Sequence, residues 1–175
     1  TTPEEAIELG MERATLLLDH LGDPREAERE LLAIREREPK FAPALARLGS
    51  LYLEEGNDEQ LAEVTEAHLA LMTHPVQRAA LAKRLFGLYE RAIPNAERAL
   101  HAARHWAQAA PTELDALRAL ADLLDPKTDA RERMKALDAR ADELTRLRAA
   151  GAGEDDAALR DEALVALEDS IVTSV

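Results

Sequence analysis

Residues recur along this chain when it is displaced by 34 positions, and this recurrence limits the possible folds more than any other feature. Gly22-Asp23 falls on Gly56-Asn57. In each copy a glycine suits the end of one helix, and the Asp or Asn after it suits the N-cap of the next. The recurrence therefore predicts short helices joined by tight turns and stacked as repeats, because one such unit cannot bury its apolar face alone.

The segment "LGDPREAERELLAIREREP" is typical of a turn followed by a helix. Asp23 is the expected cap, Pro24 suits the first turn, and Pro39 ends the helix. Its apolar seam consists of Ala27, Leu31 and Ile34. The next segment, "FAPALARLGSLYLEEG", places further residues on one helical face: Leu45, Leu48, Gly49 and Tyr52.

These residues resemble the tetratricopeptide repeat, a 34-residue helix–turn–helix unit. In that family a large residue, Leu-Gly and Tyr mark the first helix, whereas two Ala, a Leu or aromatic residue and a closing Pro mark the second. The positions that carry the resemblance are Gly22, Ala27, Leu48, Gly49, Tyr52, Gly56, Leu85, Tyr89, Ala99 and Leu120. The variable spacing is similar to that of long bacterial repeat arrays. The resemblance implies an all-α, right-handed solenoid.

Four repeats are predicted, over about 8–41, 42–75, 76–111 and 112–145, within a repeat domain that covers 1–150. The third repeat needs one extra residue, which we place in the turn around Pro94-Asn95. Residues 151–175 are expected to form a capping helix, at about 155–169, and a tail. The alternative is that this ninth helix is the first helix of a further repeat.

Two residues call for an explanation within this resemblance. Gly49 lies inside a helix, where glycine costs about 1 kcal/mol relative to alanine. The resemblance implies that Gly49 is small so that the second helix of the repeat can press against the first. Trp106 stands where the family has a small residue, and we expect it to fill an enlarged gap between helices.

Composition excludes several classes of function. Aromatic residues make up 3% of the chain, cysteine is absent, and the net charge is −13. The acidic charge and the missing basic stripe argue against nucleic acid, and no apolar run is long enough for membrane insertion. No motif for a cofactor occurs. We expect a cytoplasmic location. Because the chain starts with Thr1 rather than Met, we also expect it to be a piece of a larger protein.

One pattern suggests chemistry, namely the recurrence of Glu97, His101 and His105 at every fourth residue of a helix. Two histidines one turn apart can chelate a divalent metal, which leaves a metal-dependent enzyme as an alternative. The zinc-protease motif, however, has Glu directly after the first His, where this chain has Ala102. We therefore predict an exposed helix face with incidental histidines, no catalytic residue, no metal and no enzyme.

Helical spacing also predicts which residues face the groove of the stack. They are Ala46, Ser50 and Leu53 in repeat two, Lys83, Gly87 and Glu90 in repeat three, and Arg118, Asp122 and Asp125 in repeat four. Lys83 and Arg118 take equivalent places on neighbouring first helices, where together they would hold a carboxylate. Arg47 and Arg84 add positive charge beside them. The alternative is that Lys83 pairs with Glu90 or Asp122 and binds nothing.

The resemblance implies a protein–protein interaction scaffold that binds a peptide or a protein segment in its concave groove. A structural spacer within a longer repeat array is the alternative. The sequence contains no signal for a particular oligomeric state.

Overall fold

The computed structural model describes residues 2–150, which form eight α-helices and no strand. The helices are α1 (Pro3–Leu16), α2 (Pro24–Arg37), α3 (Ala42–Glu55), α4 (Asp58–Leu71), α5 (Pro75–Gly87), α6 (Ala96–Ala109), α7 (Leu114–Leu123) and α8 (Ala130–Ala149). The predicted ninth helix and tail, within 151–175, lie outside the described residues. Across the described part, no helix combines the length and the apolarity that crossing a bilayer requires.

The chain divides into two compact units, unit one (Thr1–Thr73) and unit two (His74–Val175). In unit one, α1 packs on α2, α2 on α3 and α3 on α4. In unit two, α5 packs on α6, α6 on α7 and α7 on α8. Each unit therefore contains two consecutive helix pairs, and the boundary between the units falls near the predicted junction of repeats two and three.

Second helices of the pairs begin at polar cap residues. The side chains of Asp23, Asn57 and Asn95 each accept a hydrogen bond of 3.0 to 3.3 Å from the backbone N–H three residues ahead. Such bonds satisfy N–H groups that have no partner inside the helix. Asp23 and Asn57 are 34 residues apart, but Asn95 follows Asn57 by 38 residues. These caps thus keep their place in the first three pairs although the spacing changes, whereas Asp129, the N-cap residue of α8, makes no side-chain cap bond.

A π-turn extends the first helix of each unit, at Leu17–Leu21 and at Leu88–Ala92. In both, the next residue, Gly22 or Ile93, donates its backbone N–H to the carbonyl five residues back. A π-turn accommodates one residue more than an α-turn. The π-turns do not explain the longer spacing of repeat three, because α1 ends in one as well. Three residues, 93–95, separate the second π-turn from α6, whereas two residues separate the helices of the first two pairs, so the turn around Pro94-Asn95 is longer by one residue.

Eight of the ten positions that carry the repeat resemblance are buried, so they supply the contacts between paired helices: Ala27, Leu48, Gly49, Tyr52, Leu85, Tyr89, Ala99 and Leu120. The other two, Gly22 and Gly56, are exposed at helix ends with φ of 64° and 68°. This left-handed conformation favours glycine, which has no Cβ to clash.

The explanation for Gly49 needs a correction. A Cβ built on Gly49 would lie 3.8 Å from Val64 Cγ2 on α4, an ordinary van der Waals contact, so the position has room for a methyl group. The close approach occurs instead at Gly10, where a Cβ would lie 3.1 Å from Ile34 Cδ1 on α2. The repeat pattern indicated Gly49 as the position of closest helix contact. The distance is shorter at Gly10 because the facing side chain there, Ile34, is longer than Val64.

Candidate partner-binding cleft

Two of the four cations predicted to bind a partner share one cleft in unit two. Lys83 of α5 and Arg118 of α7 both line it, whereas Arg84 is exposed and does not. Arg47 belongs to α3 in unit one, where its Nη2 lies 3.5 Å from Asp19 Oδ2. Of the four cations, the cleft thus contains only Lys83 and Arg118.

This opening, which we call the charged cleft, has a volume of about 330 Å³. Residues of α5, the second π-turn and α7 line it, together with Trp106 of α6. Five of the six groove residues predicted for repeats three and four line it, namely Lys83, Gly87, Glu90, Arg118 and Asp122. Helical spacing is enough to find them because residues three or four apart project from the same side of a helix.

Asp125, the sixth predicted groove residue, has a different role. Its Oδ1 accepts hydrogen bonds from the backbone N–H groups of Lys127 at 2.7 Å and Thr128 at 2.9 Å. The N–H groups of Thr128 and Lys127 hold the pKa of Asp125 below its usual value. The reason is that α7 ends at Leu123, so Asp125 lies in the turn, where Asp side chains commonly bond the backbone ahead.

A three-residue network fixes the position of Lys83. Its Nζ lies 2.9 Å from Glu113 Oε1 and 4.8 Å from the centre of the Trp106 ring. The indole Nε1 of Trp106 donates a 2.8 Å bond to Glu113 Oε2. Burial raises the pKa of Glu113, but the hydrogen bonds from Lys83 and Trp106 outweigh burial, so that the pKa lies below its ordinary value. Lys83 therefore pairs with Glu113, not with Glu90 or Asp122.

Sequence spacing did not point to Glu113, which is the N-cap residue of α7 and lies 30 positions after Lys83. Trp106 is 3% exposed and contacts the Phe86 ring at a centroid distance of 5.8 Å. It thus fills space between helices, as expected for a large residue at this position.

The other cations of the charged cleft also contact carboxylates. Arg118 Nη2 lies 3.2 Å from Asp115 Oδ1, and Arg91 Nε lies 3.5 Å from Glu90 Oε2. Asp122 is exposed and makes no ion pair with any residue of the described range. When Glu113 is counted, the charged cleft therefore has four acids and three cations. The cations are Lys83, Arg91 and Arg118.

A second cavity, of about 490 Å³, lies among α6, α7 and α8. Its lining is largely apolar and includes Ala107, Leu117 and Ala136. At its rim the Arg104 guanidinium binds both carboxylate oxygens of Glu132, at 2.9 and 2.8 Å. This bidentate bond holds the pKa of Glu132 below its usual value. The lining residues come from three helices, so no single sequence motif indicates this cavity.

The predicted histidine pair is on α6, with the two rings 4.5 Å apart and nearly perpendicular. Arg78 Nη2 lies 3.1 Å from His105 Nδ1. Because a guanidinium only donates, Nδ1 acts as the acceptor and the ring proton is on Nε2, which leaves His105 no lone pair for a metal ion. Burial, followed by His101 and Arg78, lowers the pKa of His105. Among residues 2–150, no group of three or more metal-ligating side chains comes together.

Comparison with known proteins gives structural matches only. No protein-family model matches the chain. No curated protein matches it either. The MamA protein aligns with a TM-score of 0.54 and 18% identity over 97% of this chain and 92% of its own. A tetratricopeptide repeat protein from Parabacteroides merdae aligns with a TM-score of 0.53 and 18% identity. The alignment covers 95% of this chain and 60% of that protein. YrrB, described as a TPR protein with an unusual peptide-binding site, aligns with a TM-score of 0.51 and 15% identity. The alignment covers 99% of this chain and 96% of YrrB. The predicted all-α class and tetratricopeptide-type fold are confirmed.

Proposed function

Because the chain has the tetratricopeptide-repeat fold, we propose that it is a non-catalytic interaction scaffold that holds a peptide or protein segment in the charged cleft. The observation that carries this proposal is the convergence of Lys83, Gly87, Glu90, Arg118 and Asp122 on one opening. These side chains come from two first helices, which makes them a surface for a partner that spans both.

The size and the lining of the charged cleft support this proposal. Its volume of about 330 Å³ lies within the range of small-ligand and side-chain pockets, roughly 300–1,000 Å³. Phe86 and Leu123 are half-buried there, so each keeps apolar surface that a partner side chain can cover. Another protein of the same fold, YrrB, is described as having a peptide-binding site.

Gly87 provides a direct test because it lies in the charged cleft and tolerates a side chain. Its φ of −61° is right-handed helical, and a Cβ there would approach only the flexible guanidinium of Arg91, at 3.2 Å. Tyrosine also has a higher helix propensity than glycine. Gly87→Tyr should therefore fold while its ring fills the cleft.

Ser50→Tyr is the matched control, since Ser50 is exposed at the equivalent groove position of repeat two, in unit one. A displayed library of random 12-residue peptides is selected on the unmodified protein. We expect the selected peptides to bind Ser50→Tyr as well as the parent and to lose binding to Gly87→Tyr. Peptides that bind all three proteins equally, or a library from which nothing is enriched, would refute the charged cleft as a binding site.

A further inference from the structure

We propose that the segment held in the charged cleft is basic, with Lys or Arg side chains next to apolar ones. This inference rests on the proposed function and specifies the chemistry of the partner. It reverses the charge that the sequence suggested, where Lys83 and Arg118 were expected to grip a carboxylate together.

The first argument is that the cations of the cleft already contact acids of the same chain. Lys83 binds Glu113 at 2.9 Å and Arg118 binds Asp115 at 3.2 Å. An acidic ligand would have to compete with both of these carboxylates for the two cations. Glu113 is especially well placed, because Trp106 donates to its second oxygen.

The second argument is that two carboxylates remain accessible to a cation. Asp122 is exposed on α7 and makes no ion pair within the described residues. Glu90 contacts Arg91 at 3.5 Å, but the side chain of Arg91 is 78% exposed. An ion pair of such exposed groups contributes little to stability, so a ligand cation can take the place of Arg91.

Two further electrostatic features also favour a basic ligand: the contact of Lys83 with the Trp106 ring, and the net charge of the chain. The Trp106 ring attracts the ammonium of Lys83, which lies 4.8 Å from its centre, so this cation is held by its own chain and is less available to an acidic ligand. Beside it, Phe86, Ala119 and Leu123 offer apolar surface for the uncharged side chains of the ligand. The net charge of −13 attracts a basic segment and repels an acidic one.

Two fluorescein-labelled pools of ten-residue peptides test the inference. One pool has Lys at alternate positions and the other has Glu at the same positions, with a mixture of Leu, Phe, Met and Tyr between them. Binding is followed by fluorescence anisotropy at 50 and 200 mM NaCl. We expect the Lys pool to bind the full chain, with an affinity that falls as the salt concentration rises.

Charge-reversal variants separate the cleft from the overall charge. Asp122→Lys reverses a carboxylate of the cleft, and Asp142→Lys makes the same change at an exposed position of α8, which does not line it. Both variants change the net charge equally, and thermal melts check that both fold. We expect Asp122→Lys to weaken binding of the Lys pool about tenfold or more, and Asp142→Lys to have little effect.

Each other outcome has a definite meaning. If both reversals weaken binding equally, the Lys pool binds the overall charge, and the inference is wrong. If the Glu pool binds better, or both pools bind alike, and Gly87→Tyr abolishes that binding, the cleft binds peptides but not basic ones. If Gly87→Tyr changes the binding of neither pool, the proposed function itself fails.

Discussion

The Tyr52 hydroxyl donates a 2.8 Å hydrogen bond to Glu28 Oε1, and this bond connects α3 to α2 across two successive helix pairs. Tyr52 is 1% exposed. Burial, together with the hydrogen bond to Glu28 and its negative charge, raises the pKa of Tyr52 far above the ordinary value. The tyrosine that carries the repeat resemblance therefore also connects one pair of helices to the next.

Replacing this tyrosine tests the pKa shift. Unfolded Tyr52 loses its proton near pH 10, whereas the folded residue keeps it, so that the parent loses stability as the pH rises above about 10. Tyr52→Phe should not show the loss of stability that comes from Tyr52 at alkaline pH. At pH 7 its free energy of unfolding should be about 1 kcal/mol lower than that of the parent, because the hydrogen bond to Glu28 is gone. Urea unfolding at pH 7 and at pH 10.5 measures both effects. Tyr89→Phe retains Tyr52 and should therefore still lose stability between pH 7 and pH 10.5. If both variants lose the same amount of stability over this range, Tyr52 is not its cause.

The two buried glycine contacts predict opposite tolerance to a methyl group. Gly49→Ala gains helix propensity, up to about 1 kcal/mol, and finds 3.8 Å of space to Val64, so it should raise the melting temperature. Gly10→Ala gains the same propensity but places its Cβ 3.1 Å from Ile34 Cδ1, which should cancel or reverse the gain. Thermal melting of the two single variants measures the difference. Equal stabilisation would show that Ile34 does not restrict Gly10.

A larger side chain at Gly49 exceeds the available space. Gly49 is buried and faces Val64, which is fully buried, so the extra atoms of leucine have to displace packed neighbours. We expect Gly49→Leu to cost about 1–3 kcal/mol relative to the parent. A Gly49→Leu variant that melts above Gly49→Ala would mean that α3 and α4 separate easily at this point.

His105 makes stability sensitive to acid. Its pKa is lowered in the folded state, so below about pH 6.5 the unfolded chain binds a proton that the folded chain resists, and stability falls as the pH falls. In His105→Gln the side-chain oxygen can still accept a hydrogen bond from Arg78, but the side chain no longer takes up a proton. The loss of stability between pH 7.5 and pH 5 should therefore be smaller in this variant than in the parent. Urea unfolding at both pH values provides the comparison. His20→Gln, at an exposed position, is the control, and an equal reduction there would remove His105 as the cause.

Two substitutions of Glu113 separate its two bonds. Glu113→Gln can still accept from Trp106 Nε1 and loses only the charge that faces Lys83, so we expect a change below about 1 kcal/mol. Glu113→Ala leaves the indole N–H of a residue that is 3% exposed without its acceptor, which should cost about 1–3 kcal/mol. Trp106 is the one tryptophan of the chain, so its fluorescence during urea unfolding reports on both variants. Equal losses would mean that the bond to Trp106 contributes nothing.

Much of the fold could be predicted because its signals are local. Asp23, Asn57 and Asn95 start helices through bonds to the backbone three residues ahead, a distance that the sequence itself shows. The exposed side of a first helix follows in the same way from helical spacing, which is why Gly87 and Asp122 could be placed in the charged cleft. The turn around Pro94-Asn95 is one residue longer than the equivalent turns of the first two pairs, and its proline marks it in the sequence, whereas the two π-turns leave no such mark.

The sequence by itself determined that this chain folds into short helix pairs, because helical period, caps and left-handed glycines are properties of a few neighbouring residues. The tertiary structure alone decided which charges meet. Lys83 pairs with Glu113, 30 positions away, and Arg78 with His105, 27 positions away. Such partners depend on how the loops and the π-turn rotate one helix against the next, and a rotation of a few tens of degrees changes which carboxylate a cation can reach.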